Sequence, residues 1–234
     1  MEISQRRFRQ LVHEVDEVHR DGMSTIGRDL AALHSTRRRV LRGIGAGGLT
    51  FTIGAAVLPW RRLVAPVWAD QATDDRNLAK FAESVELAAV AGYQAAVTSG
   101  KLKTPALAAA AQTFAGHHQD HAKAFGALAG DAGSATPNPG VLAAVSGQIK
   151  AAPDESAVLS VAYDLENAAA STYLFALGVL GDVTALKATA SILPVESQHA
   201  VVLGTALGKQ LKDMVPSFQT PDLKIDPAKY PPAS

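Results

Sequence analysis

His118-Gln-Asp-His121-Ala-Lys-Ala-Phe-Gly126 and Glu196-Ser-Gln-His199-Ala-Val-Val-Leu-Gly204 are two copies of one pattern. In each, two metal-ligating residue types stand three apart, an alanine follows directly, and a glycine closes the stretch at the same offset. A second pair of stretches is also duplicated. Glu86-Leu-Ala-Ala-Val-Ala-Gly-Tyr93 and Glu166-Asn-Ala-Ala-Ala-Ser-Thr-Tyr173 both set a glutamate seven residues before a tyrosine. Steps of three and seven keep side chains on one face of an α-helix. The two kinds of stretch alternate along the chain, so residues 74–214 read as one helical hairpin written twice.

Apolar periodicity around these stretches gives four helices. The first spans about 74–98, with Ala79, Ala82, Glu86, Ala89, Tyr93 and Ala96 on one face. The second spans about 104–128, with Leu107, Ala111, Phe114, His118, His121, Phe125 and Leu128 in line. The third, about 154–180, aligns Leu159, Ala162, Glu166, Ala169, Tyr173 and Ala176. The fourth, about 183–214, aligns Ile192, Glu196, His199, Leu203 and Leu207, with Pro194 predicting a kink or a start. Residues 130–153 carry three prolines and four glycines and read as a crossover. Residues 215–234 carry five prolines and read as an irregular tail strapped over the helices. No segment alternates as a strand does. Short links within each pair and one long link between pairs predict an all-α fold, an antiparallel four-helix bundle with one long crossover.

Ionisable residues inside apolar stripes are costly unless paired or bound to a metal. The stripes direct Glu86, Glu166, Glu196, His118, His121 and His199 toward one interior. Region 74–214 resembles the ferritin-like superfamily, and in particular bacterial exported ferritin-like proteins with twin-arginine leaders. Di-iron and di-manganese bundles use a Glu from each of two helices and Glu-x-x-His from each of the other two. The resemblance implies that Glu86 and Glu166 are terminal carboxylates, that Glu196 bridges two metals, and that His121 and His199 are imidazole ligands. It departs at His118, which stands where the family has Glu. The implied cofactor is a divalent metal, iron first, with manganese or zinc as alternatives. The implied activity is metal binding or redox chemistry with oxygen or peroxide, and a homo-oligomer is compatible with it. The contrasting reading is a metal-free structural or interaction module of the cell envelope. Tyr93 and Tyr173 read as core aromatics whose hydroxyls are within reach of a ligand carboxylate. His117 points away from His118, and Asp120 and Gln198 read as solvated.

The charge distribution separates the ends of the chain. Residues 1–69 hold 11 Lys+Arg against 6 Asp+Glu, whereas 70–234 hold 11 against 16. A basic leader before an acidic domain is what targeting sequences produce, and the acidic part has no basic stripe for nucleic acid. With no cysteine, any metal site must use imidazole and carboxylate ligands. Thr36-Arg37-Arg38-Arg39-Val40-Leu41-Arg42 resembles a twin-arginine export motif. An uncharged stretch, 43–60, follows, and Val67-Trp68-Ala69 offers a cleavage site before Asp70. The expected partner is the twin-arginine export machinery, and the expected location is periplasmic, envelope or secreted. An uncleaved stretch would act as a membrane anchor. Met23 is a second possible start, and His13, His19 and His34 receive no role. Replacing Arg37 and Arg38 together by Lys should leave the precursor in the cytoplasm; cell fractionation showing normal export of the double variant would defeat this reading.

Overall fold

The computed structural model describes residues 4–44, 60–215 and 219–233, the side chains of residues 25, 29–44 and 60–73 excepted. Among the described residues there is no strand. The helices are α1 (Gln5–Ile44), α2 (Trp60–Thr98), α3 (Pro105–Ala129), α4 (Pro139–Ala151), α5 (Glu155–Leu177), α6 (Val183–Ala206) and the single turn α7 (Leu211–Met214). The two expected hairpins, α2 with α3 and α5 with α6, are the most extensive contacts in the molecule.

The predicted stripes face inward. Ala79, Ala82, Ala89, Tyr93 and Ala96 of α2 are buried, as are Phe114, Phe125 and Leu128 of α3, Leu159, Ala169 and Tyr173 of α5, and Ile192 and Leu203 of α6. Alanine at so many of these positions combines high helix propensity with close helix approach.

Helix ends follow local chemistry. Asp182 caps α6, its carboxylate accepting from the backbone N–H of Thr184 and Ala185 at 2.8 and 2.9 Å. Asp154 caps α5 through Ala157 at 2.9 Å. At the start of α3, Thr104 makes no side-chain cap. Glu155 from α5 replaces it, accepting from the backbone of Lys103 and Thr104 and from the Thr104 hydroxyl at 2.5–2.7 Å.

Five expectations need correction in detail. Helix α2 starts at Trp60 rather than near 74, so its backbone runs through the expected 69/70 cleavage site. The crossover is not irregular throughout: Asn138 accepts from the Val141 N–H and Pro139 occupies the first turn, starting α4. The Lys101 ammonium closes α4, donating to the carbonyls of Ile149, Lys150 and Ala152 at 2.6–2.8 Å. Helix α5 ends at Leu177 rather than 180, just before Gly178. Helix α6 runs unbroken through Pro194 rather than starting there, and ends at Ala206 because Gly208 turns the backbone with φ +72°. The tail is the expected strap. Ile225 is buried, its N–H donating to Thr172 Oγ1 at 2.8 Å, and Asn138 donates to the Tyr230 carbonyl at 2.8 Å.

The N-terminal segment holds what the sequence did not announce. Phe8, Val12, His19 and Ile26 of α1 are buried against the bundle, and α1 contacts both α3 and α6. Phe8 and Val12 pack with Tyr93, Phe114, Leu159 and Leu203, while Ile26 packs with Phe125 and Ile192. Full burial of each such apolar side chain is worth about 1.5–3 kcal/mol. The side chains of Arg37, Arg38 and Val67–Ala69, and the stretch 45–59, lie outside the described residues. No helix among the described residues is long and apolar enough to cross a membrane.

The duplicated glycines explain themselves in three dimensions. A Cβ on Gly126 would stand 2.6 Å from a Glu83 carboxylate oxygen, and one on Gly204 would stand 3.0 Å from the Tyr163 ring. Glu83 and Tyr163 each lie three residues before the glutamate of their hairpin, so both copies bring that position close to the glycine, with Met214 crowding Gly204 as well. Gly126→Ala should therefore lower stability by about 1–2 kcal/mol, overpacking outweighing the gain in helix propensity. Gly147→Ala, on an open face of α4 with nothing within 4 Å, should raise it by up to about 1 kcal/mol. Urea unfolding midpoints of the two variants check the opposite signs.

Candidate metal centre

Glu86 from α2, His118 and His121 from α3, Glu166 from α5, and Glu196 and His199 from α6 are brought together, each at most 1% exposed. They form two overlapping quartets. One is Glu86, His118, His121 and Glu196; the other is His118, Glu166, Glu196 and His199, with donor atoms within 4.8 Å of one another in each. The shared members, His118 and Glu196, are equivalent positions of the two hairpins. The unshared pairs, Glu86 with His121 and Glu166 with His199, are also equivalent. The centre therefore has the duplicated order of the sequence, with its divergent pair in the middle.

The tyrosines cross-link the two halves. Tyr93 of the first hairpin donates to Glu166 of the second, and Tyr173 donates to Glu86 in return. Each tyrosine fixes the carboxylate of the opposite copy. Burial, and then the charge of the facing carboxylate, raise both phenol pKa values well above the ordinary one, so the hydroxyls stay protonated and donate.

His118 lies between the terminal carboxylates. Its Nδ1 is 2.6 Å from Glu86 Oε2 and its Nε2 is 3.1 Å from Glu166 Oε1. Burial would depress its pKa, but the charges of Glu166, Glu196 and Glu86 hold it well above the usual imidazole value. It is thus an imidazolium donating at both nitrogens. Burial likewise opposes the shifts of its neighbours and is overcome. The charge of Glu196 raises His121 to about 9, Glu166 raises His199, and His118 lowers Glu86 to about 2 and Glu166 well below its usual value. All three imidazole pKa values are thus raised by the carboxyl groups that face them.

Part of the cluster lacks hydrogen-bond partners. Both oxygens of Glu196 and both nitrogens of His121 are buried without a hydrogen bond, although His121 Nδ1 is 2.8 Å from Glu196 Oε1. The two groups touch at a separation too poorly aligned for a hydrogen bond, and a buried carboxylate without donors is expensive. His199 Nδ1 faces Glu166 Oε2 at 3.3 Å and Glu196 Oε2 at 3.6 Å. Oxygen and imidazole donors gathered this way suit iron, manganese or zinc.

A family model described as a ferritin-like domain matches residues 74–209. The chain belongs to the ferritin-like family. Comparison with curated proteins and with solved structures returned no match. The family assignment covers the four helices that carry all six buried ligand-type residues, and leaves α1 outside.

Three further residues adjoin the centre. His117 is buried and turned from the cluster's middle, as expected, but its Nδ1 meets the outer nitrogen of His199 at 2.9 Å and its Nε2 meets Asp16 Oδ1 at 3.0 Å. His19 is buried and stacks on His117 at 3.8 Å between ring centroids, with His121 at 5.0 Å. The overlooked signal was the stripe Phe8, Val12, Val15, His19, Met23 and Ile26, which has helical spacing. Asp120 stays partly exposed beside Lys123, whereas Gln198, expected in solvent, has its Oε1 buried. His13 is an exposed partner of Glu17, and the His34 side chain lies outside the described residues.

The opposed shifts set a pH profile for the metal-free chain. His121, raised from 6.5 to about 9, contributes stability fully below 6.5 and loses it as pH rises through 9. Burial lowers His19 to about 3, and burial with the charge of His199 lowers His117 to about 4. These two bases must give up their protons on folding, so they cost stability as pH falls below 6.5. The melting temperature of the metal-free chain should be highest near pH 6.5 and fall on both sides; a profile still rising from pH 6.5 to 9 would contradict the imidazolium assignment.

Proposed function

We propose that this ferritin-like chain binds divalent metal at the six-residue centre and is carried out of the cytoplasm by the twin-arginine machinery. The observation that carries the metal reading is the pair of overlapping quartets around Glu196, whose oxygens accept no aligned hydrogen bond. Glu86 and His121 would hold one metal, Glu166 and His199 a second, with Glu196 between them. Iron is the leading metal, with manganese or zinc as alternatives. When bound, such ions supply Lewis-acid chemistry and, for iron or manganese, one-electron redox chemistry with oxygen or peroxide. The chain's own part is to hold ligands in register through Tyr93 and Tyr173 and to exclude bulk water. Storage or sequestration of metal uses the same centre.

Export rests on the motif at 36–42 and the uncharged stretch after it. On this reading the docked form is the precursor, and cleavage near 69/70 would remove α1.

A second reading has one observation in its favour. His118 bridges Glu86 and Glu166 by hydrogen bonds and relieves part of their charge without metal, which suits a metal-free envelope module. The readings separate on metal. Iron, manganese or zinc added to metal-free protein should raise its melting temperature, by the equivalent of about 2.7 kcal/mol at a hundredfold excess over Kd. The double change Glu196→Ala and His199→Ala should abolish the rise while leaving the bundle folded, since alanine is a good helix former. His118→Glu should strengthen two-metal binding by supplying the missing carboxylate. Absence of any co-purifying metal together with no melting shift would favour the metal-free module.

A further inference from the structure

The N-terminal helix lies outside the family match, yet it reaches the centre through a defined chain of hydrogen bonds. Asp16 of α1 faces His117 Nε2 at 3.0 Å, His117 Nδ1 faces His199 Nε2 at 2.9 Å, and His199 Nδ1 faces Glu166 and Glu196. A carboxylate only accepts, so Asp16 obliges His117 to carry its proton on Nε2. The Nδ1 of neutral His117 is then an acceptor, and the outer nitrogen of His199 must carry a proton to donate to it. With Nε2 so occupied, the lone pair that His199 gives up to a metal is at Nδ1, the nitrogen that faces the carboxylates. Histidine ligands depend on such an outer partner to fix tautomer and ring orientation.

The surroundings hold this relay in place. His117 is 3% exposed, His19 stacks on one of its faces, and Phe114 stacks on the His199 ring at 4.1 Å between centroids. Phe8, Val12 and Ile26 seat α1 independently of Asp16. Of the two imidazole ligands, His121 has no comparable support, both of its nitrogens lacking a hydrogen bond.

Resting on the metal-binding reading above, we infer that Asp16 is a positioning residue of the metal centre: through His117 it selects the tautomer in which His199 presents Nδ1 to the metal, so α1 is a working part of the centre in the uncleaved chain. A residue of α1 thereby orients a ligand of the domain that follows it.

The test uses the full metal-free chain titrated with Co²⁺, followed by its visible d–d absorption and by calorimetry. Asp16→Ala should weaken binding by up to about 10–100-fold, the effect of losing an outer partner of a ligand, because it frees His117 to leave the tautomer that partners His199. Asp16→Glu should recover much of the loss. His117→Phe should weaken binding to a similar degree, and adding Asp16→Ala to it should cost nothing more. That last result separates a relay from simple loosening of α1, which would weaken the His117→Phe chain as well. In the metal-free chain, ¹⁵N shifts should show His117 as the Nε2–H tautomer in wild type and as a mixture in Asp16→Ala. If wild type binds Co²⁺ and Asp16→Ala binds it equally, or the losses from Asp16 and His117 add, the relay is wrong and the metal reading stands. If wild type binds no Co²⁺, the metal reading falls and the relay falls with it.

Discussion

Three carboxylates closed inside an alanine-lined bundle have to be neutralised, and the arrangement of the interior follows from that demand. Isolated, each would take up a proton rather than remain charged away from water. Here Glu86, Glu166 and Glu196 face three imidazoles, and two tyrosines donate to the outer pair. The small residues around them let four helices approach closely enough for side chains from all four to meet. The same contacts that relieve the charges hold a set of oxygen and nitrogen donors at the spacing of a metal centre.

Duplication gives this arrangement its economy, and one divergent pair gives it its character. Glu86 and Tyr93 reappear as Glu166 and Tyr173, and each tyrosine serves the glutamate of the other copy. The positions nearest the middle of the centre are where the copies part, His118 in one and Glu196 in the other. A glutamate pair there would leave four carboxylates dependent on metal. The imidazolium of His118 instead donates to both terminal carboxylates, so protons and metal ions compete for the same groups. On the metal-binding reading, an ion entering here would have to displace protons, which would tie its affinity to pH.

The helices and their inward faces were legible in the sequence because alternation of threes and fours survives even where the stripe is mostly alanine. The centre was legible for the same reason, since glutamate and histidine interrupt an apolar stripe at repeated offsets. Helix α4 was harder to see: its prolines and glycines mark a connection, yet Asn138-Pro139 is also a helix start, and the closure by Lys101 comes from a distant residue. The seat of α1 was masked by the arginine motif that follows it, which drew the whole segment into the reading of a leader. His117 looked irrelevant on a single helix because it points away from the cluster. Its importance lies with His199 and Asp16, which sit on two other helices and are tens of residues distant in the chain. No spacing rule within one helix reports a contact of that kind.

Anomalous X-ray diffraction from crystals of the full chain soaked in Mn²⁺ tests the central claim most directly. The account predicts density beside Glu196, between it and the Glu86–His121 pair or the Glu166–His199 pair, or both, with His118 drawn away from at least one carboxylate. A crystal with no peak among these six residues, and with His118 still joining Glu86 to Glu166, would contradict it.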